Sequence, residues 1–231
     1  MDVSFICCVW NEINLAPKNL KKMHEHLDKC SFKYEIIIID NFSTDGTREW
    51  IADLSDPHTV KILNDVNIGK GGSIRIGIDN AIGKTSVIFD LDGEYSIEDA
   101  LVGIALIEKT SATVLLASRT IDGSKTYIYL QNYLGVKFIT WLINILFGAK
   151  LTDTATGLKI IETCFFKQNK LRFSGFNVDF EIVCLALKRR RQVIEYKGSY
   201  FPRSKERGKK IKAVKDGLES LFAILTTKIR S

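Results

Sequence analysis

Seven residues, YEIIIID at positions 34–40, constrain the fold of this chain more than any others. Their β-branched side chains favour extended backbone. A strand that is apolar on both faces must be covered on both faces, as strands are inside a parallel sheet flanked by helices. The surrounding sequence repeats the pattern. VSFICCVW (3–10), TVKILN (59–64), TSVIFD (85–90) and ATVLLAS (112–118) read as strands. Between them, residues 14–29, 44–54 and 70–82 read as helices. A further helix starts at Ser96 in SIEDALVGIALIEK, where Asp99 completes a capping box. Alternating strands and helices predict an α/β fold with a mainly parallel central sheet and helices on both faces. In such sheets ligands bind beyond the carboxyl ends of the strands.

The second half reads differently. Residues 126–149 form a long, mostly apolar helix, TGLKII (156–161) a strand, and 179–191 a helix. QVIEYKGSYF is another strand. Ile211, Val214, Leu218, Leu221, Phe222 and Leu225 then recur at helical spacing, giving an amphipathic C-terminal helix. With 231 residues, no internal repeat and no linker, the expected organisation is one domain over 1–231. Residues 1–120 are its ligand-binding half and 121–231 its second half, carrying a basic loop.

Charge and cysteines narrow the setting. Between Lys188 and Lys215 there are twelve Lys or Arg and two acids, so this segment carries +10 and the rest of the chain −4, within a net +6. A basic segment on a mildly acidic body points to an anionic partner: phosphate, a lipid surface or nucleic acid. Cys7, Cys8, Cys30, Cys164 and Cys184 are odd in number and irregular in spacing, which argues for reduced thiols and against a zinc site. The N-terminus enters a strand directly, so no signal peptide is expected. No apolar run reaches eighteen residues. The expected location is cytoplasmic, with peripheral contact to the inner face of a membrane as an option.

Acids cluster where a buried strand ends. In DLDGEY, Asp90, Asp92 and Glu94 sit two residues apart; in an extended chain they project together. Converging carboxylates repel unless a cation or basic groups neutralise them, and oxygen-only ligands suit Mg²⁺ or Mn²⁺; the alternative is an acidic turn in solvent. Asp40 ends the isoleucine strand in the same way, while Asp45 is expected to cap the next helix and do nothing else. In NDVNIGKGGS (64–73), Gly69, Gly71 and Gly72 surround Lys70 at a helix start. That is either a close approach to phosphate or a flexible cap. RSKERGKK (203–210) is either a loop closing on a diphosphate or a solvated charge run. YLGVKFITWLINILFGA is either an interfacial helix or, slightly favoured, a buried core helix. His24, His26 and His58 are expected at the surface.

The ordered set VWNE, DNFSTDGT, NIGKGG, DLDGEY, DTATGLKI, GFNVDFEI and YFPRSKERGKKIKAVKDG resembles the family 2 glycosyltransferases, especially the dolichyl- and polyprenyl-phosphate hexose synthases. The resemblance spans roughly residues 3–217. It implies a nucleotide-diphospho-sugar transferase fold of the GT-A type and a metal-dependent, inverting transfer. It implies a nucleotide-diphospho-sugar donor and a polyprenyl phosphate acceptor, or alternatively the hydroxyl of a lipid-linked glycan, and no nucleic acid. It places Trp10, Asn11, Glu12, Asp40, Asn67, Lys70, Asp90, Arg207 and Lys209 at the donor. It gives Asp90, Asp92 and Glu94 to the Mg²⁺ or Mn²⁺, and Asp92, Asp153, Asp179 and Arg203 to catalysis. Trp10 stands where the family pattern has Tyr, and Glu94 where it often has Gln. A hydroxyl acceptor needs a base, for which Asp153 or Asp179 are candidates; a phosphate acceptor is already an anion and needs none. Two other classes compete. A sugar-phosphate nucleotidyltransferase predicts a glycine-rich basic loop after the first strand, where CCVWNEINLAP stands instead. A non-catalytic module binding anionic lipid or nucleic acid leaves the acid cluster unexplained.

Overall fold

A computed structural model describes residues 1–123, 128–203 and 213–229. Seven strands form one sheet: β1 (Val3–Val9), β2 (Tyr34–Asp40), β3 (Thr59–Leu63), β4 (Thr85–Ile88), β5 (Val114–Ser118), β6 (Lys159–Glu162) and β7 (Val193–Lys197). Their order is β3-β2-β1-β4-β6-β5-β7. The pairs β1–β2, β1–β4, β2–β3 and β5–β7 are parallel. β6 runs antiparallel to both its neighbours, β4 and β5. The sheet is therefore mainly parallel, as the alternation predicts.

All seven residues of β2 are buried. Its alternation divides the core. Ile36 and Ile38 pack on one face of the sheet with α1 (Ala16–Leu27), α2 (Thr47–Asp53) and α4 (Ile97–Lys109). Ile37 and Ile39 pack on the other. That second face carries α3 (Gly69–Asn80), α5 (Leu130–Phe147), α6 (Thr163–Gln168), α7 (Val178–Lys188) and α8 (Ala213–Ile229). Each isoleucine taken from water adds roughly 1.5–3 kcal/mol, so this strand anchors both layers.

Three expectations need revising. β3 is an exposed edge, with Val60 40% accessible, rather than a strand covered on both faces. α4 is capped as expected, Ser96 Oγ accepting from Asp99 N at 3.1 Å, but Asp99 does not return the bond; its carboxylate accepts from Ser199 N. The core reading of the long helix fails. Of α5 only Ile139, Thr140 and Ile143 are buried, while Leu130, Leu134, Phe138, Trp141 and Ile145 lie open. The short α6 carried no sequence signal strong enough to expect it. No helix among the described residues is long and apolar enough to cross a membrane.

Candidate active site

The carboxyl ends of β1, β2 and β4 open on a cavity of about 280 Å³, closed on its far side by the residues around α7 and by the chain after β7. Trp10, Glu12, Asn67, Lys70, Asp90, Asp92, Glu94, Asp179 and Arg203 all line it. The sequence order thus brings together residues up to 193 positions apart, from Trp10 to Arg203.

Asp90, Asp92 and Glu94 reach the cavity, but not as alternate residues of a strand. β4 ends at Ile88, and the following segment turns through Gly93 at φ +78°. Asp92 Oδ1 accepts from Glu94 N, a short turn bond that extended backbone would not make. The acids face two cations. Lys70 Nζ meets Asp90 Oδ2 at 2.7 Å. Arg203 meets Asp92 Oδ2 at 2.7 Å and Glu12 at 3.0 Å, with Glu94 at 3.6 Å. Among the described residues, no three acids, histidines or cysteines stand close enough to hold a metal ion. The donor chemistry still fits a hard divalent cation. Burial pushes the carboxyls of Asp90 and Asp92 above their ordinary values and neighbouring acids add to it, while Lys70 and Arg203 pull them back.

Behind the cavity, charges alternate. Asp179 accepts from Lys159 Nζ at 2.5 Å and faces Lys70 at 3.9 Å. Lys159 is fully buried on β6 and also donates to Thr156 O. Burial lowers its pKa; Asp179 opposes that shift. For Lys70 the balance tips the other way: burial lowers it, but Asp179 and Asp90 together hold it well above its usual value.

Asp153 does not line the cavity. It is fully buried, its oxygens accepting from Arg119 Nε at 2.6 Å, Arg119 Nη2 at 2.7 Å and the amides of Arg119 and Ala155. Burial alone would raise its pKa, yet Arg119 holds it below the usual carboxylate value. A carboxylate so held cannot act as a base. Asp40 is likewise fully buried behind the wall, accepting from Ser43 N and Arg48 Nη1. Its neighbour Asn41 reaches the cavity instead, tied to Asn67 Oδ1 at 3.0 Å. Asn11 stands at φ +51° and pins the next loop, its backbone N–H donating to Ser43 Oγ and its side chain accepting from Thr44 N. Asp45 does more than cap: besides Thr47 it accepts from Ile13 N, joining the loops after β1 and β2. Arg207 and Lys209 lie outside the described residues.

The glycine segment also has a packing role that neither reading anticipated. Gly71 N donates to Ser174 O at 2.7 Å, and Gly72 N shares that carbonyl. A Cβ on Gly69 would stand 2.2 Å from Ser174 O, and one on Gly71 2.2 Å from Phe173 O. The glycines admit the backbone of residues 173–175 and fix the loop that carries Phe176 into the cavity wall.

Four cavity or support residues were not anticipated. Arg119 sits 5.0 Å over the Tyr200 ring, and Tyr200 tilts against Tyr95 at 5.3 Å. Tyr200 OH donates to Glu94 Oε2 at 3.2 Å. Lys159 supports Asp179. An arginine after a strand and two isolated tyrosines carry no spacing signal. Lys159 showed only as a lysine inside the apolar run GLKII.

The family described as Glycosyl transferase family 2 matches residues 4–196. A dolichyl-phosphate beta-glucosyltransferase of Trichomonas vaginalis is 27% identical over 215 residues, covering 84% of this chain and 64% of the relative. Its namesake in Saccharomyces cerevisiae is 27% identical, covering 73% and 57%. A prophage bactoprenol glucosyl transferase homolog of Escherichia coli is 33% identical over 124 residues, covering 52% and 40%. The chain thus spans about two-fifths to two-thirds of the length of these curated relatives. Among solved structures, glucosyl-3-phosphoglycerate synthase of Mycobacterium tuberculosis with Mn²⁺, UDP-glucose and phosphoglyceric acid superposes with a TM-score of 0.71. It is 12% identical and covers 98% of this chain and 79% of that one. Residues 1–349 of TarS from Staphylococcus aureus, with UDP-GlcNAc, give 0.67 at 17% identity, covering 100% and 67%. These likenesses show the fold.

Proposed function

This chain belongs to glycosyl transferase family 2, and we propose that it moves glucose from UDP-glucose to a polyprenyl phosphate, inverting the anomeric centre. The relatives' names support glucose and a polyprenyl carrier, and the UDP complexes of fold neighbours support the donor base. The observation that carries the acceptor is electrostatic. Glu12, Asp90, Asp92, Glu94 and Asp179, the acids of the cavity, each face Lys or Arg, and Asp153 is buried against Arg119. A site whose acids are all committed to cations holds no free base. A phosphate oxygen, already ionised, attacks the sugar without one.

In this reading residues 1–120 hold the donor and 121–231 the acceptor. Trp10 lies along the nucleotide base, and Asn41 and Asn67 offer amides to it. Lys70 and Arg203 stand where the diphosphate gathers charge as it leaves. Asp90, Asp92 and Glu94 would hold Mg²⁺ or Mn²⁺, which when bound supplies further positive charge to that leaving group. Arg119, set by Asp153 and Tyr200, presents a cation to the incoming phosphate. Such an enzyme works at the cytoplasmic face of the membrane that holds its acceptor.

Calorimetric titration with UDP, GDP, CDP and dTDP, each with and without Mn²⁺, tests the donor site. Binding of UDP that requires Mn²⁺ and vanishes in Asp92→Ala is the expected result. A folded protein that binds none of the four contradicts the transferase reading and leaves a non-catalytic anion-binding module.

A further inference from the structure

Two helices are apolar on the side that faces away from the protein. At 100° per residue, Leu130, Leu134, Phe138, Trp141 and Ile145 of α5 fall within an arc of about 80°. Ile139 and Ile143, which enter the core, lie on the opposite side. α8 repeats the arrangement. Leu218, Phe222, Leu225 and Ile229 share an arc of about 60°, opposite the buried Ser220, Ala223, Ile224 and Thr227. The two helices pack side by side. Trp141 is 55% accessible and Phe222 65%. Scattered exposed apolar residues are ordinary; two outward stripes on adjacent helices are an interaction surface.

We propose that this α5–α8 surface seats the protein on an anionic lipid bilayer; the proposal rests on the lipid-phosphate reading only for its purpose, not for its evidence. Charge selects the bilayer. Residues 128–150 contain no acid. Where the helices end, cations collect. Lys228 of α8 donates to Leu146 O at the end of α5, and Lys188 of α7 to Thr227 O at 2.7 Å. Arg189, Arg190 and Lys150 are exposed beside these ends. An apolar face edged by Lys and Arg is the pattern of helices lying in the headgroup boundary of anionic membranes. A second copy of the chain fits less well. A two-fold interface sets the same patch against itself, and residues 128–150 offer that cationic edge no acid to pair with.

The surface also reaches the loop behind the cavity wall. Phe222 packs edge-on against Phe173 at 6.2 Å, and Phe173 begins the loop whose Phe176 lines the cavity. Seating α8 on the bilayer brings that loop to the membrane surface.

The test is co-sedimentation of the full chain, without donor or acceptor, with vesicles of phosphatidylcholine alone or mixed with phosphatidylglycerol. Binding to the mixed vesicles, weakened by salt, is expected. Trp141→Glu with Leu225→Glu is expected to weaken it at least tenfold while Mn²⁺-dependent UDP binding persists. Val102→Glu, an exposed apolar site on α4, is the control and binds as the parent does. No binding to mixed vesicles, or binding unchanged in the double variant, overturns the proposal. So does a dimer in light scattering that the same double variant dissociates. Loss of UDP binding with vesicle binding intact would instead remove the transferase reading and leave this surface standing.

Discussion

Arg203 lies 2.7 Å from Asp92 and also bridges both carboxylate oxygens of Glu12, so one guanidinium occupies the acid cluster of the cavity. Burial works against its charge, but Asp92 and Glu12 more than compensate, and its pKa is raised. A side chain held this way would compete with a divalent cation for the same carboxylates, Asp92 and Glu94. Arg203→Ala is therefore expected to tighten Mn²⁺ binding to the nucleotide-free protein by about tenfold, or ~1.4 kcal/mol. The same variant should lose transfer activity, because the cation facing the leaving diphosphate is gone. Titration followed by electron paramagnetic resonance of free Mn²⁺ reads the first effect directly; unchanged or weaker binding would refute the exchange.

Asp153 and Arg119 form a buried, doubly hydrogen-bonded pair. Asp153→Asn leaves the guanidinium without its charge partner and should cost ~3–5 kcal/mol in urea unfolding. The pH dependence follows from the lowered pKa of Asp153. Its contribution is present above the unfolded value of about 3.9 and is lost as pH falls through the lower folded value. The parent should therefore lose this increment of stability at acid pH, while the Asn variant shows a flatter profile there.

Asp179 stands between Lys159 and Lys70. Asp179→Asn strands a fully buried ammonium, so Lys159→Met in the same chain should recover part of the lost stability. A double-mutant cycle with a coupling of at least ~1 kcal/mol is expected. Additive effects would mean that the pair is not coupled.

Gly71 accepts the backbone of the loop that carries Phe176. Gly71→Ala places a methyl 2.2 Å from Phe173 O and should destabilise by ~1–3 kcal/mol, measured by thermal unfolding. A change of only a few tenths would show that the loop yields freely.

Much of this site was legible because its residues follow strands. Buried runs such as YEIIIID end abruptly, and polar residues at those ends have nowhere to go but the sheet's carboxyl edge. Asp90, Asp92 and Glu94 could be placed from that logic, and Lys70 from its glycine-rich helix start; Trp10, Glu12 and Asn67 come only with the resemblance to the family. Position on an edge, however, does not specify direction. Asp40 ends its strand yet turns inward to Arg48 and Ser43 N. Asp153 sits in a recognisable segment yet is consumed by Arg119, a partner 34 residues earlier with no motif of its own. The glycines around Lys70 read as open space for a ligand because the segment that fills it, 173–175, is about a hundred residues away. α5 misled for a different reason: a helix apolar all round is equally consistent with burial and with an apolar surface on its outer side.

The most direct measurement is transfer of labelled glucose from UDP-glucose, with Mn²⁺, to a polyprenyl phosphate and to the corresponding unphosphorylated polyprenol, assayed side by side. An organic-soluble glycolipid is expected from the phosphate alone, and none with Asp92→Ala, because the acids that line the cavity each face Lys or Arg. Comparable transfer to the alcohol, or transfer only to a soluble hydroxyl acceptor, would contradict it.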